Sequence, residues 1–323
     1  MQLKATEKPT LKERVGGIQN FGIFIIMLVF IIVVVALSGV KFFTPTNLLN
    51  LLRSISVTGL MAVAATLVMI TGNIDLSLGW MIGLAACITG VHSDNTVVAI
   101  VFAVLACAAC GAFNGILIGG LKLNAFITTL GTAYVFKGIT MMYSDGKILT
   151  ASVQNDSLKF IGQGNILGVP TPIWIFLIAG FIFWFLLKST TFGSRIYAVG
   201  ANAVSAKFSG VSSAKIVMAT YILTGIVTGI AGVVFYSKVM SVQPYSGAGM
   251  EFDVLTAIVL GGTSVSGGKG NVPGTIIGII FVGILSNGFT LIGLGSNAQY
   301  ITQGVILILA MRTDVMSSRG MRG

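Results

Sequence analysis

From Arg53 to Asp94 the chain reads RSISVTGLMAVAATLVMITGNIDLSLGWMIGLAACITGVHSD, and Asp75 is the only formal charge between those two ends. About 20 apolar residues cross a bilayer as a helix. The stretch is therefore long enough for two crossings, which part at the polar run Gly72-Asn73-Ile74-Asp75-Leu76-Ser77-Leu78-Gly79. The same texture extends in both directions. Of 323 residues, 55% are hydrophobic and 9% charged, with a mean hydropathy of +0.97. Soluble domains carry about 25% charged residues, and charge this sparse cannot cover a soluble particle. The sequence predicts an all-α, polytopic integral membrane helical bundle.

Uncharged runs place the other crossings. Phe21–Val40 precedes the quoted stretch. Asn95–Leu121, Asn124–Ser144 (interrupted by Lys137), Ile166–Leu187 and Ile216–Ser237 follow it. Val254–Gly268 reads as a short crossing, and Gly270–Met311 as two that turn at Gly293–Asn297. That makes about ten. Phe21–Val40 is longer than the 7–15 residues of a signal-peptide core, so an uncleaved first crossing is expected.

An even count puts both termini on one side, and the basic residues say which. With the N-terminus cytoplasmic, the inside segments hold Lys4, Lys8, Lys12, Arg14, Lys122, Lys188, Arg195, Lys207, Lys215, Lys269, Arg312, Arg319 and Arg322. Only Lys41, Arg53, Lys147, Lys159 and Lys238 fall outside. Cytoplasmic loops carry such an excess. The expected organisation is a cytoplasmic segment 1–20, a transmembrane domain 21–311 and a cytoplasmic tail 312–323. Within it, 145–165 is an outside loop that can hold a short helix, and 188–215 is a basic inside loop.

Several function classes lose their footing. The net charge of +10 sits at the termini and inside loops, with no basic helix carrying interleaved aromatics, so no nucleic-acid partner is expected. Cys107 and Cys110 lie in an apolar run with no cation nearby to ionise a thiol, and read with Cys87 as packing residues. One histidine, His92, builds neither a triad nor a metal site. Gly261 through Gly270 resembles a phosphate loop, but Thr263 stands where the first glycine is needed and Gly270 where the hydroxyl is needed. It reads as a tight intramembrane hinge. No catalytic residue, metal or cofactor is expected on this chain.

Asp75 is the sharpest signal. A carboxylate at membrane depth is costly and marks a pathway by default, yet Asp75 also suits a helix N-cap. Both readings stand at this point. Asn73, Asp75, Ser77, Asn114, Asn124, Asn287, Gln299 and Gln303 are the polar candidates for a translocation path. Gly72, Gly79, Gly261, Gly262, Gly267, Gly268 and Gly270 are candidate hinges. Gly72–Gly79 and Gly267–Gly274 also read as a weak internal repeat, each leading into GxxxG. Lys137 either snorkels or touches substrate. Glu251 and Asp253 are either docking charges or a solvated edge.

In the inside loop, Gly193, Gly200 and Gly210 punctuate short stretches, and Ala203–Phe208 reads as a brief amphipathic helix offering Ala206 and Phe208 to a partner groove.

Taken in order, five segments resemble the permease subunits of ribose-type ATP-binding-cassette importers. They are Phe42–Leu48, the G-x-I-D-L-S-x-G of Gly72–Gly79, Asn124–Gly131, the G-x-x-x-Y-A-x-G-x-N-x-x-x-A-x-x-S-G of Gly193–Gly210, and Val259–Ser264 leading to Gly267–Gly270. The resemblance departs at Asn73, where a glycine is common, and at Trp80, where a smaller residue is expected. It implies a pore subunit in a bacterial inner membrane that pairs with a second permease subunit. A cytoplasmic tandem ATPase would carry the ATP and Mg, and a periplasmic binding protein would deliver a monosaccharide. The expected ATPase contact maps to Gly193, Arg195, Tyr197, Asn202, Ala206 and Gly210. The rival is a proton-coupled secondary transporter working through Asp75.

Overall fold

The computed structural model describes residues 29–151 and 155–319. The expected N-terminal segment 1–20 lies outside them. Helix α1, Val29–Phe43, ends in a 3₁₀ turn and packs Phe30 and Val34 against Gly288. Helix α2, Pro45–Ile70, starts on a proline at its first position and is the most enclosed of the long apolar helices. Its 26 residues rise about 39 Å, more than the ~30 Å hydrocarbon core. The chain then leaves helical geometry over 71–77 and resumes as α3, Leu78–Val91. At 14 residues, or about 21 Å, α3 is too short to cross.

Asparagines decide where several helices begin. Asn95 accepts from Val97 N and Val98 N to start α4, Thr96–Gly115, which runs on through a π-turn to Gly120. Asn124 accepts from Ile127 N to start α5, Ala125–Ser144. Asn155 does the same for α6, Asp156–Gln163, and also donates to the Ser93 carbonyl at 3.0 Å. These caps satisfy donors that a helix cannot satisfy itself.

The segment 145–165 carries strand β1 (Leu149–Thr150) and α6. It continues past the expected boundary as a hairpin of β2 (Asn165–Ile166) and β3 (Val169–Pro170), turned by Gly168 at φ +79°. The next crossing therefore starts later than expected, as α7, Thr171–Ser189. Two short helices follow, α8 (Thr191–Ala201) and α9 (Ala203–Phe208), then the long α10, Ser213–Val239. Strand β4 (Ser241–Val242) pairs antiparallel with β1, clipping the two loops at one end of the bundle.

The expected crossing Val254–Gly268 is corrected by the structure. Helix α11 covers only Met250–Leu260 and stops at Gly261-Gly262, where Gly262 takes φ +84°. Residues 261–271 form a folded turn, followed by α12 (Val272–Leu291), capped by Asn271, and α13 (Ser296–Arg319). Five helices among the described residues, α2, α4, α7, α10 and α12, are long and apolar enough to cross a membrane.

Helix α10 is the hub, packing on α2, α3, α4 and α6, while α11 packs on α2, α12 and α13. The α4–α10 seam is the tightest. Gly111 and Gly115 lie on the backbone of Tyr221 and Met218, and Gly225 and Gly229 lie on Cys107 and Val104 in return. Small residues let backbones approach in this way where no hydrophobic drive separates lipid from protein.

Candidate functional site

The two short helices begin at the same place and run apart. Gly79, in the first turn of α3, has the Glu251 carboxylate and the Gly247 carbonyl against its Cα, and Gly247 packs back on Gly79 and Gly83. From there α3 climbs toward the β1–β4 clip, where Gly90 meets Leu149. Helix α11 runs the other way and ends with Gly261 on the backbone of Gly274. Each is preceded by non-helical chain, 71–77 and 243–249. Broken helices with opposed directions and facing N-termini are a recurrent architecture for transport sites. The expected repeat is thereby corrected. The counterpart of the break before α3 is the segment before α11, and Gly72 and Gly267 are instead touching partners.

Around the first break the polar groups hold one another. Asp75 is 7% exposed. Its Oδ1 accepts from Ser77 N at 2.9 Å and from Ser77 Oγ at 2.6 Å. Asn114 on α4 donates to Ser77 Oγ at 2.9 Å. Asp75 Oδ2 and Asn114 Oδ1 are buried acceptors without a partner among the described residues. The extended backbone is served from neighbouring helices, as Tyr221 on α10 donates to the Ile74 carbonyl at 2.9 Å. Asn73 donates locally to Thr71 Oγ1 at 2.9 Å.

The remaining path candidates stand elsewhere. Asn287 and Asn47 exchange amide bonds of 2.8 and 3.0 Å between α12 and α2. Gln299 accepts from Ser286 at 3.1 Å, and Gln303 donates to Asp253 at 2.6 Å. Asn124 is an exposed cap. Only Asp75, Ser77 and Asn114 are thus brought into one cluster, with Asn73 beside them. Glu251 and Asp253, expected as docking charges or a solvated edge, are partly buried and bonded within the chain. Glu251 is wedged on Gly79 and accepts from Gly249 N at 3.0 Å, and Asp253 holds α13 through Gln303.

The hinge glycines, Gly79 apart, gather at the opposite end of α11, beneath α8. Gly267, at φ +82°, lies on the backbone of Gly72, itself at φ +80°. Gly268 N donates to the Ile70 carbonyl at 2.8 Å, the last residue of α2. Gly200 on α8 sits on both, leaving no room for a side chain. Tyr197 OH donates to the Gly270 carbonyl at 2.7 Å. Burial pushes the Tyr197 phenol above its ordinary pKa, which keeps it a donor. Helix α8 thus touches at once the end of α2, where the first break begins, and the turn that follows α11.

The rest of the 188–215 segment divides into anchors and surface. Gly193 is pressed on the carbonyls of Leu186 and Leu187, and Thr190 caps α8 through Gly193 N at 3.1 Å. Asn202 starts α9 by accepting from Val204 N and Ser205 N. Ala206, expected to offer itself to a partner, is 4% exposed and fastens α9 inward. Arg195, Val204 and Phe208 face out, with Phe208 at 89%. Gly210 closes α9 at φ +80°.

The sequence reading missed Tyr221, whose hydroxyl lies far along the chain from the carbonyl it serves. It also missed the company of Lys137. The ammonium does not snorkel alone but stands over the rings of Trp80, Tyr134 and Tyr245. Among the described residues no group of three His, Cys, Asp or Glu is placed to hold a metal, and the three cysteines are buried thiols.

Residues 47–311 match the family described as branched-chain amino acid transport system / permease component. The chain is similar to the ribose import permease protein RbsC of Bacillus subtilis (strain 168), 36% identical over 318 residues that span 97% of this chain and 98% of that protein. It is 39% identical to RbsC of Escherichia coli (strain K12) over 90% of this chain and 92% of that protein. It is 33% identical to the L-arabinose ABC transporter permease protein AraH of Azospirillum brasilense over 92% of this chain and 88% of that protein. No solved structure matches the chain. The chain belongs to this family, and it is a permease component of an ABC importer, an integral membrane protein that passes through the bilayer several times.

Proposed function

We propose that this chain is the pore subunit through which an ATP-driven, binding-protein-dependent importer moves a monosaccharide of the ribose or L-arabinose kind into a bacterial cell. The relatives' names supply the substrate class. An even number of passes, with both termini and 188–215 cytoplasmic, agrees with the placement of the basic residues. A second permease subunit, a cytoplasmic tandem ATPase and a periplasmic binding protein complete the machine in the inner membrane.

One observation carries the mechanism: α8 is bonded to the turn 261–271 through Tyr197 and Gly270 and is packed on the end of α2 through Gly200. Movement of α8 by an ATPase would be felt by both broken helices together, since the break before α3 starts right after Ile70 and α11 ends in that turn. Asp75, Ser77 and Asn114 then hold the first break in register while the crossing at Gly79 and Gly247 opens to one side or the other. ATP does its work on the partner, and alternating access is the response of this chain.

The test is uptake of labelled ribose and L-arabinose by cells carrying the chain with its partner subunits. Uptake should vanish when the partner ATPase is deleted or its nucleotide-binding lysine is replaced. Persistent uptake in cells lacking every partner ATPase would contradict the proposal.

A further inference from the structure

Lys137 lies about 18 Å along α5 from Ala125 and about 10 Å from Ser144, well inside an apolar helix. A cation at such depth normally finds a carboxylate or a cavity. Lys137 finds neither a hydrogen bond nor an ion pair with any described residue. Its Nζ stands 5.3 Å from the ring centre of Trp80 and 5.8 Å from those of Tyr134 and Tyr245. Trp80 and Tyr245 meet edge to face at 5.9 Å. Tyr134 is 73% and Tyr245 57% exposed, so the cluster opens on the surface of the chain.

We infer that Trp80, Lys137 and Tyr245, flanked by Tyr134, form a weak binding subsite for a neutral monosaccharide on the translocation path. The chemistry selects that ligand. A sugar ring presents C–H faces that stack on indole and phenol rings, whose faces carry partial negative charge. Its hydroxyls accept from an ammonium, and Lys137 has three donors with no acceptor among the described residues. An anionic ligand would reach the same ammonium only by laying its charge against those negative ring faces.

Position gives the subsite a role. Trp80 is in the first turn of α3, while Tyr245 is in the segment that enters α11. The two rings therefore belong to the two different segments that meet at the Gly79–Gly247 crossing. A relative shift of the two broken helices changes the Trp80–Tyr245 spacing. Binding is then tied to the conformational state, and the sugar is held in one and released in the other. Its ligand class rests on the importer reading above.

Saturation-transfer NMR on the purified permease–ATPase complex, without binding protein, reads weak sugar contacts directly. D-ribose or L-arabinose should show transfer to its C–H protons. Trp80→Ala and Lys137→Met should each reduce it by about fivefold or more, the scale of one lost ring or donor contact, and Trp80→Phe should retain most of it. Ribose 5-phosphate should compete no better than ribose. Absent transfer in the parent protein, unchanged transfer in Trp80→Ala and Lys137→Met, or tighter binding of the phosphate would overturn the subsite. Uptake of the parent chain measured in parallel separates the two ideas. ATPase-dependent uptake without NMR contacts removes the subsite alone, and ATPase-independent uptake removes the importer reading itself.

Discussion

Tyr197 and Gly270 stand 73 residues apart and are joined by a 2.7 Å hydrogen bond from phenol to carbonyl. The bond ties α8 to a glycine turn that also receives the end of α2. Tyr197→Phe leaves the ring in place and strands the carbonyl. The bond is part-buried, and losing it costs about 0.5–1.5 kcal/mol. The variant should assemble but transport several-fold more slowly per ATP hydrolysed, as measured by uptake and phosphate release in proteoliposomes.

Gly200 has the Ile70 carbonyl and Gly268 N where a side chain would go. Gly200→Ala should force α8 off the hinge and reduce uptake to near background. Gly131→Ala on α5 is the control, since nothing lies within 4 Å of the added methyl and alanine favours helix. Its uptake should match the parent.

Asp75 Oδ2 and Asn114 Oδ1 are two buried acceptors short of a donor. Asp75→Asn supplies one without changing shape, so this variant should keep at least about half of parental uptake and its thermal stability. Asp75→Ala removes the partner of Ser77 and should lower both. A proton-coupled transporter requires the opposite, loss of uptake in Asp75→Asn.

Asn47 and Asn287 bond each other across α2 and α12. Replacing either by Leu should destabilise the protein, and replacing both should recover part of the loss. A double-mutant cycle in detergent is expected to give a coupling of about 1 kcal/mol, in the range found for polar pairs between membrane helices.

The bundle was legible because most crossings are long runs with few or no charges, several of them opened by a cap. Asn95 and Asn124 mark helix starts in the sequence as they do in the fold. The break at Gly72–Gly79 was legible for the same reason, since Asp75 interrupts an otherwise apolar stretch. Its true counterpart was not. Residues 243–249 carry no charge, and what makes them a break is the contact of Gly247 with Gly79. Polar residues at membrane depth look alike in sequence whether they line a path or fasten helices. Asn287 fastens α12 to α2 and Asn124 caps α5, while Asp75 and Asn114 meet. The Lys137 cluster draws its rings from three separate elements, a juxtaposition that spacing along the chain does not encode.

Phe208 is 89% exposed at the end of α9, and the three native thiols are buried. Phe208→Cys can therefore be labelled with a membrane-impermeant maleimide in sealed vesicles of known orientation. The expected result is labelling in inside-out vesicles only, with protection when the partner ATPase is bound. Labelling in right-side-out vesicles would contradict a cytoplasmic coupling element, and with it the route from α8 to the broken helices.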